Sequence, residues 1–190
     1  MAHTRKKNIA KLSGLLLILL AVLCIIIYSC VSLVIQAIYP VQYTELVEAN
    51  ADEFGIEKEL LYALIKTESG FDKNAVSSVG AKGLTQITPD TFEWLQTKTG
   101  ETHSEDALFE PEISVYYGAY FLRMLLDEFG NTETALAAYH AGRGKVNEWL
   151  SDPRYSADGE TLDKIPYEDT LKYVRKVECR CERYRSIYEF

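Results

Sequence analysis

The chain has 190 residues, with 20 Lys plus Arg against 28 Asp plus Glu and a formal net charge of -8. Apolar residues at 47% and charged residues at 25% exclude wholesale disorder, a collagen-like repeat and a bundle made only of membrane spans. The charge is unevenly placed: Arg5, Lys6, Lys7 and Lys11 are the only charged side chains before residue 39, so the remainder is strongly acidic and argues against a nucleic-acid partner.

From Leu15 to Ile38 only Ser29, Ser32 and Gln36 interrupt an apolar run of 24 residues. As a helix it is about 36 Å long, enough to cross a bilayer core of roughly 30 Å. A cleavable signal peptide has an apolar stretch of only about 7 to 15 residues, so the run predicts an uncleaved transmembrane anchor over residues 15–38. The basic residues before it, with none just after, place a short segment 1–14 in the cytoplasm and residues 39–190 outside a cell membrane crossed once. A competing reading is lipid attachment at Cys30, since Ile27, Tyr28, Ser29 and Cys30 loosely resemble a bacterial lipobox. The apolar run continues past that cysteine, and Tyr28 is bulky for the site.

Beyond Pro40 the periodicity is helical nearly throughout, and the spacing predicts an all-α domain. Helices are expected over Tyr43 to Phe54, Glu57 to Ser69, Pro89 to Thr97, Pro111 to Phe129, Thr132 to Tyr139, Lys145 to Leu150 and Pro166 to Ile187. Thr88 before Pro89 reads as an N-cap, Asn131 caps the helix that follows, and Gly55, Gly70, Gly130 and Gly142 stand just after helix ends. Phe71 to Ile87 and Ser151 to Ile165 look irregular and are candidate binding loops, while the polar stretch Thr97 to Phe109 reads as a surface excursion. The last helix is dense in charge and reads as a solvated face. Cys24 and Cys30 fall in the apolar run. Cys179 and Cys181, two apart in a helix, point to different sides, which predicts free thiols or an intermolecular bridge.

Glu68 is the residue out of place. Leu60, Leu61, Leu64 and Ile65 form the apolar stripe of their helix, and Glu68 continues that stripe by the three- and four-residue spacing. Desolvation and the negative end of the helix dipole both raise the pKa of a carboxyl placed there. An acid that keeps its proton near neutral pH is what glycosidic cleavage requires, because the leaving oxygen must be protonated as its bond breaks.

The context extends this signal. Glu68, Ser69, Gly70 and Phe71 are followed by Gly80, Ala81, Lys82, Gly83, Leu84, Thr85 and Gln86. Next come Ala138, Tyr139, His140, Ala141 and Gly142, and then Ile165, Pro166 and Tyr167 with Tyr173 and Val174. This ordered set resembles the soluble-lytic-transglycosylase (SLT) family of peptidoglycan lyases over most of residues 43 to 177. The resemblance implies a lysozyme-like α-helical fold and cleavage of glycan strands between N-acetylmuramic acid and N-acetylglucosamine, with closure to a 1,6-anhydro end and no metal or organic cofactor.

By the same resemblance Glu68 is the single catalytic acid and base, and Tyr139 is the tyrosine directed at it. Ser77, Gln86, His140, Asp169 and Tyr173 are implied as substrate contacts or cleft wall. Glycines 80 and 83 are expected to let the backbone approach a sugar. Three positions depart from the family pattern: Thr85 replaces a common Met, His140 an Asn and Asp169 a Glu. Asp72 and Glu93 are the nearest candidates for a second carboxylate and read as surface acids, as do most acids. The aromatics Phe92, Trp94, Tyr116, Tyr117 and Tyr120 read mostly as core. A hydrolytic muramidase of the same fold, and a wall-binding scaffold that has lost turnover, remain as alternative functions.

Overall fold

The computed structural model describes residues 2–190, with side chains from Gly14 onward; the side chains of Arg5, Lys6, Lys7 and Lys11 lie outside the described residues. The chain divides into a unit of residues 1–41 and a unit of residues 42–190. The first is one helix, α1 (Ala2–Ile38), whose 25 residues Gly14–Ile38 are long and apolar enough to cross a membrane. From Leu15 to Val34 its leucine, isoleucine and valine side chains are exposed.

The second unit is all-α, with no strand among the described residues beyond isolated bridges in one loop. Its helices are α2 (Thr44–Phe54), α3 (Lys58–Glu68), α4 (Pro89–Thr99), α5 (Pro111–Phe129), α6 (Thr132–Ala141), α7 (Arg143–Leu150) and α8 (Glu168–Ile187). The caps are chemical. Thr88 accepts from the Thr91 amide and Asn131 from the Thr134 amide, each satisfying a first-turn N–H that has no partner within its helix.

Four boundaries differ from the sequence expectation by two residues, and the start of α2 and both ends of α3 by one. α4 runs on to Thr99 and ends at Gly100, whose φ of 76° supplies the left-handed turn. α6 continues through His140 to Ala141, and α7 begins at Arg143, two residues early, so a single glycine joins them. α8 starts at Glu168 because Tyr167 is extended, at φ -88° and ψ 120°. The expected surface excursion before α5 is also corrected. Glu105–Phe109 forms a 3-10 helix with Leu108 fully buried and Ala107 at the edge of the core.

α3 and the long α8 pack face to face and carry the site. Leu61, Tyr62, Leu64 and Ile65 of α3 are closed from solvent, as are Val174, Val177 and Tyr184 of α8. Tyr62 and Tyr184 stack at 5.6 Å. Burying such side chains is worth about 1.5–3 kcal/mol each, so this seam fixes the two helices against each other. Cys179 is exposed and Cys181 buried, and both are free thiols.

Candidate active site

Glu68 closes α3, and the chain must turn away at once. Ser69 Oγ reaches back to the Ile65 carbonyl at 3.3 Å and across to the Leu84 carbonyl at 2.8 Å, and it accepts from the Phe71 amide at 3.1 Å. Gly70 and Phe71 then take φ of 63° and 72° in succession. Left-handed backbone is costly for phenylalanine, and burial of its ring against Tyr62 offsets that cost.

From the other side, Arg180 of α8 donates to the Lys66 carbonyl at 2.8 Å and to Thr67 Oγ1 at 3.0 Å. A guanidinium on the free carbonyls of a helix C-terminus satisfies them and opposes the dipole. The final turn carrying Glu68 is therefore held both by the following loop and by α8. The solvated-face reading of α8 fails at this residue: a spacing of three and then four residues puts Tyr173, Lys176 and Arg180 along one face toward α3.

Glu68 is half-buried in the wall of a cavity of about 360 Å3 with Thr67, His140, Asp169, Lys172, Tyr173 and Lys176. Desolvation raises its pKa to about 7, against the opposing pull of a hydrogen bond from Tyr173 and the Lys176 charge. The Tyr173 hydroxyl donates to Glu68 Oε1, and its buried ring stacks on His140 at 4.4 Å. His140 Nδ1 lies 3.2 Å from Thr170 Oγ1. Burial lowers the His140 pKa, with Asp169 pulling the other way, so the ring is predominantly neutral at pH 7.

Three of the other expected site residues fall elsewhere. Tyr139 sends its hydroxyl to the Thr85 carbonyl at 2.8 Å, so the phenol bonded to Glu68 is that of Tyr173. The Glu68 charge still acts on Tyr139, which burial chiefly drives well above the usual tyrosine range. Gln86 spends its side-chain amide inside its own loop, donating to the Ala75 and Gly83 carbonyls, each at 3.0 Å. Ser77 Oγ accepts from the Ala81 amide at 3.0 Å and closes the loop turn. Neither Ser77, Gln86 nor Tyr139 lines the Glu68 cavity. Asp169 does, and it is exposed.

Thr85 does not face the cleft. It is fully buried, with Oγ1 donating to the Ser114 carbonyl at 2.7 Å. Its side chain sits so close to α5 that a Cβ on Gly118 would stand 2.4 Å from it. Gly83 likewise serves packing and not a sugar: with φ of 75°, an added Cβ would lie 1.8 Å from the Leu108 carbonyl. The loop and the 3-10 helix thus brace each other behind the site. Lys172, Lys176 and Arg180 are the residues sequence reading passed over, and the three- and four-residue spacing from Tyr173 is the signal that would have found two of them.

These features define a class: an all-α domain with one desolvated carboxylic acid, oriented by a phenol, in an open cavity. The family described as Transglycosylase SLT domain matches residues 45–161, and the chain belongs to it. Over 143 residues the chain is 31% identical to the soluble lytic murein transglycosylase of Salmonella typhimurium, covering 73% of this chain and 22% of that protein. It is 29% identical over 169 residues to the membrane-bound lytic murein transglycosylase C of Pectobacterium atrosepticum, covering 76% and 47%. The crystal structure of the 70 kDa soluble lytic transglycosylase from Escherichia coli superposes with a TM-score of 0.70 at 26% identity, over 80% of this chain and 25% of that one. The chain thus spans about a fifth to a half of the length of these relatives, and the shared fold is lysozyme-like.

Proposed function

We propose that the protein is a membrane-anchored peptidoglycan lytic transglycosylase, with Glu68 as its acid and base. The observation that carries the reading is the Glu68 carboxyl itself, raised to about 7 by desolvation and oriented by Tyr173. Near neutral pH it holds a proton for part of the time, as a general acid must, and its conjugate base is strong enough to take one back.

In this scheme Glu68 protonates the glycosidic oxygen between N-acetylmuramic acid and N-acetylglucosamine, and the bond from that oxygen to the anomeric carbon breaks. The resulting carboxylate then accepts the proton of the muramoyl 6-hydroxyl while its oxygen bonds to the anomeric carbon. No water is consumed and Glu68 ends protonated. The substrate supplies the nucleophile, so no second carboxylate is needed. Family membership, the shared fold and the lytic murein transglycosylases among the relatives support the activity.

The anchor is proposed on α1, whose apolar length suits one bilayer crossing, with residues 1–14 cytoplasmic and the catalytic unit outside. A hydrolytic reading has one observation in its favour: Asp169 lines the same cavity as Glu68, where a second carboxylate could activate water. The deciding experiment is mass spectrometry of products released from purified peptidoglycan by the full chain in detergent, with Glu68→Gln as control. Anhydromuramoyl ends from the wild type alone establish the lyase, and products heavier by one water assign a muramidase. Retention of glycan strands without release by either protein leaves a binding scaffold.

A further inference from the structure

The wall of the Glu68 cavity carries two cations that the acid itself does not explain. Lys172 and Lys176 both line it, from the face of α8 that also carries Tyr173. The chain beyond residue 39 is strongly acidic, so positive charge gathered at the reacting centre runs against its composition. It also works against the acid, because the Lys176 charge pulls the Glu68 carboxyl down while burial pushes it up. Nor does the end of α3 need the charge, since Arg180 already donates to the Lys66 carbonyl and to Thr67 Oγ1 there.

Both ammonium groups are open to a ligand. Lys176 is exposed and makes no salt bridge among the described residues. Lys172 reaches Glu168 at 2.6 Å, but the two side chains are 68% and 77% exposed, and a pair so solvated is weak and yields to a better partner. One helical turn separates the lysines, about 6 Å along the axis, and their flexible stems let both heads converge on one carboxylate. Asp169, the other carboxylate of this wall, stands about 10 Å from Lys176 along the axis, so it opposes an anion least at the Lys176 end. His140 is predominantly neutral at pH 7 and opposes neither charge.

The substrate read from Glu68 carries the matching group. N-Acetylmuramic acid bears a lactyl ether ending in a carboxyl, which is free on a bare strand and, on a substituted one, amide-linked to a peptide with carboxylates of its own. We propose that Lys172 and Lys176 form an anion subsite that takes a carboxylate on the lactyl arm of the muramoyl residue whose bond Glu68 addresses. This rests on the glycan reading of the Glu68 site. The lysines then select a strand by its charge, and they touch no reacting atom. A carboxylate seated on them also offsets the Lys176 charge, so Glu68 keeps its proton better when an anionic strand is bound.

The test is calorimetry on the full chain carrying Glu68→Gln in detergent, a background in which a lysine change cannot act through the charge of the acid. The probes are two pairs of tetrasaccharides of alternating N-acetylglucosamine and N-acetylmuramic acid. One pair is bare, with its lactyl carboxyls free or converted to amides; the other bears stem peptides, with their carboxyls free or converted to amides. In one of the pairs the acid is expected to bind about tenfold more tightly than its amide, and most of that gain should vanish in about 0.5 M salt. The pair that shows the gain assigns the carboxylate to the lactyl group itself or to the peptide. Lys176→Gln should reduce the gain to within twofold and Lys172→Gln should reduce it about threefold, whereas Lys176→Arg should keep it. Both positions are exposed, so none of these changes removes a core contact. Equal affinity for acid and amide in both pairs, or a gain that both glutamine variants retain, overturns the subsite. Glycan release by the wild type is measured in parallel: release without a charge preference overturns the subsite alone, whereas neither release nor binding of any probe overturns the glycan reading together with it.

Discussion

Replacing Glu68 with glutamine should make the protein more stable, and only above acidic pH. The carboxyl titrates near 7 in the folded protein against a reference of 4.5. A raised acid pKa means that the folded state holds the proton more tightly than the unfolded chain does. Its contribution is therefore fully present below pH 4.5 and is lost as pH rises through 7. At about 1.4 kcal/mol per pK unit, ionising Glu68 at pH 8 costs the fold about 3 kcal/mol, and partial exposure reduces this to about 2. Glutamine has a similar shape, can still accept from Tyr173 and never ionises. Glu68→Gln should then match the wild type at pH 4 and exceed it by about 2 kcal/mol at pH 8, or about 4–8 °C in Tm for a domain of this size. Urea and thermal unfolding of both proteins at several pH values measure the difference. A stability gap that does not change between pH 4 and pH 8 would show that Glu68 is not desolvated and would remove the physical basis for its role as the acid.

Three further perturbations separate chemistry from packing. Tyr173→Phe removes the donor that favours the Glu68 carboxylate, so the Glu68 pKa should rise and the alkaline limb of the pH–rate profile should move upward. Glycan release at pH 7 should fall about tenfold to a hundredfold as the acid loses its orientation, and an unmoved limb would assign the phenol to packing alone. Arg180→Met withdraws a charged donor from the last turn of α3, which should lower stability by about 1.5–3 kcal/mol in urea unfolding; a change under 0.5 kcal/mol would mean the contact is idle. Gly83→Ala sets a Cβ against the Leu108 carbonyl at a left-handed position, so a loss of more than about 2 kcal/mol is expected from thermal unfolding. Gly80→Ala has open space around it and should cost less than Gly83→Ala.

The structure also gives a place to each of the three residues expected to depart from the family pattern. His140 presents an aromatic face, which an asparagine lacks, and uses it to stack on the ring that orients the acid. Thr85 turns inward onto Gly118 and Ser114, so its hydroxyl is satisfied by backbone and never meets a ligand. Asp169 keeps a carboxylate at the cavity rim, in solvent.

What the sequence determined by itself was local. The α1 run, the Thr88 and Asn131 caps, the glycines after α2 and α5, and the placement of Glu68 on the apolar side of α3 all follow from forces acting within one or two helical turns. The tertiary structure alone decided which phenol reaches Glu68, because Tyr173 lies 105 residues away and Tyr139, the nearer in sequence, is taken by a carbonyl 54 residues before it. It also decided that Thr85 faces inward and that Leu108 closes the core, since each depends on a neighbour brought from another element. Periodicity reports that a side chain is buried, whereas its partner is set by how helices pack, and that information is spread over the whole domain.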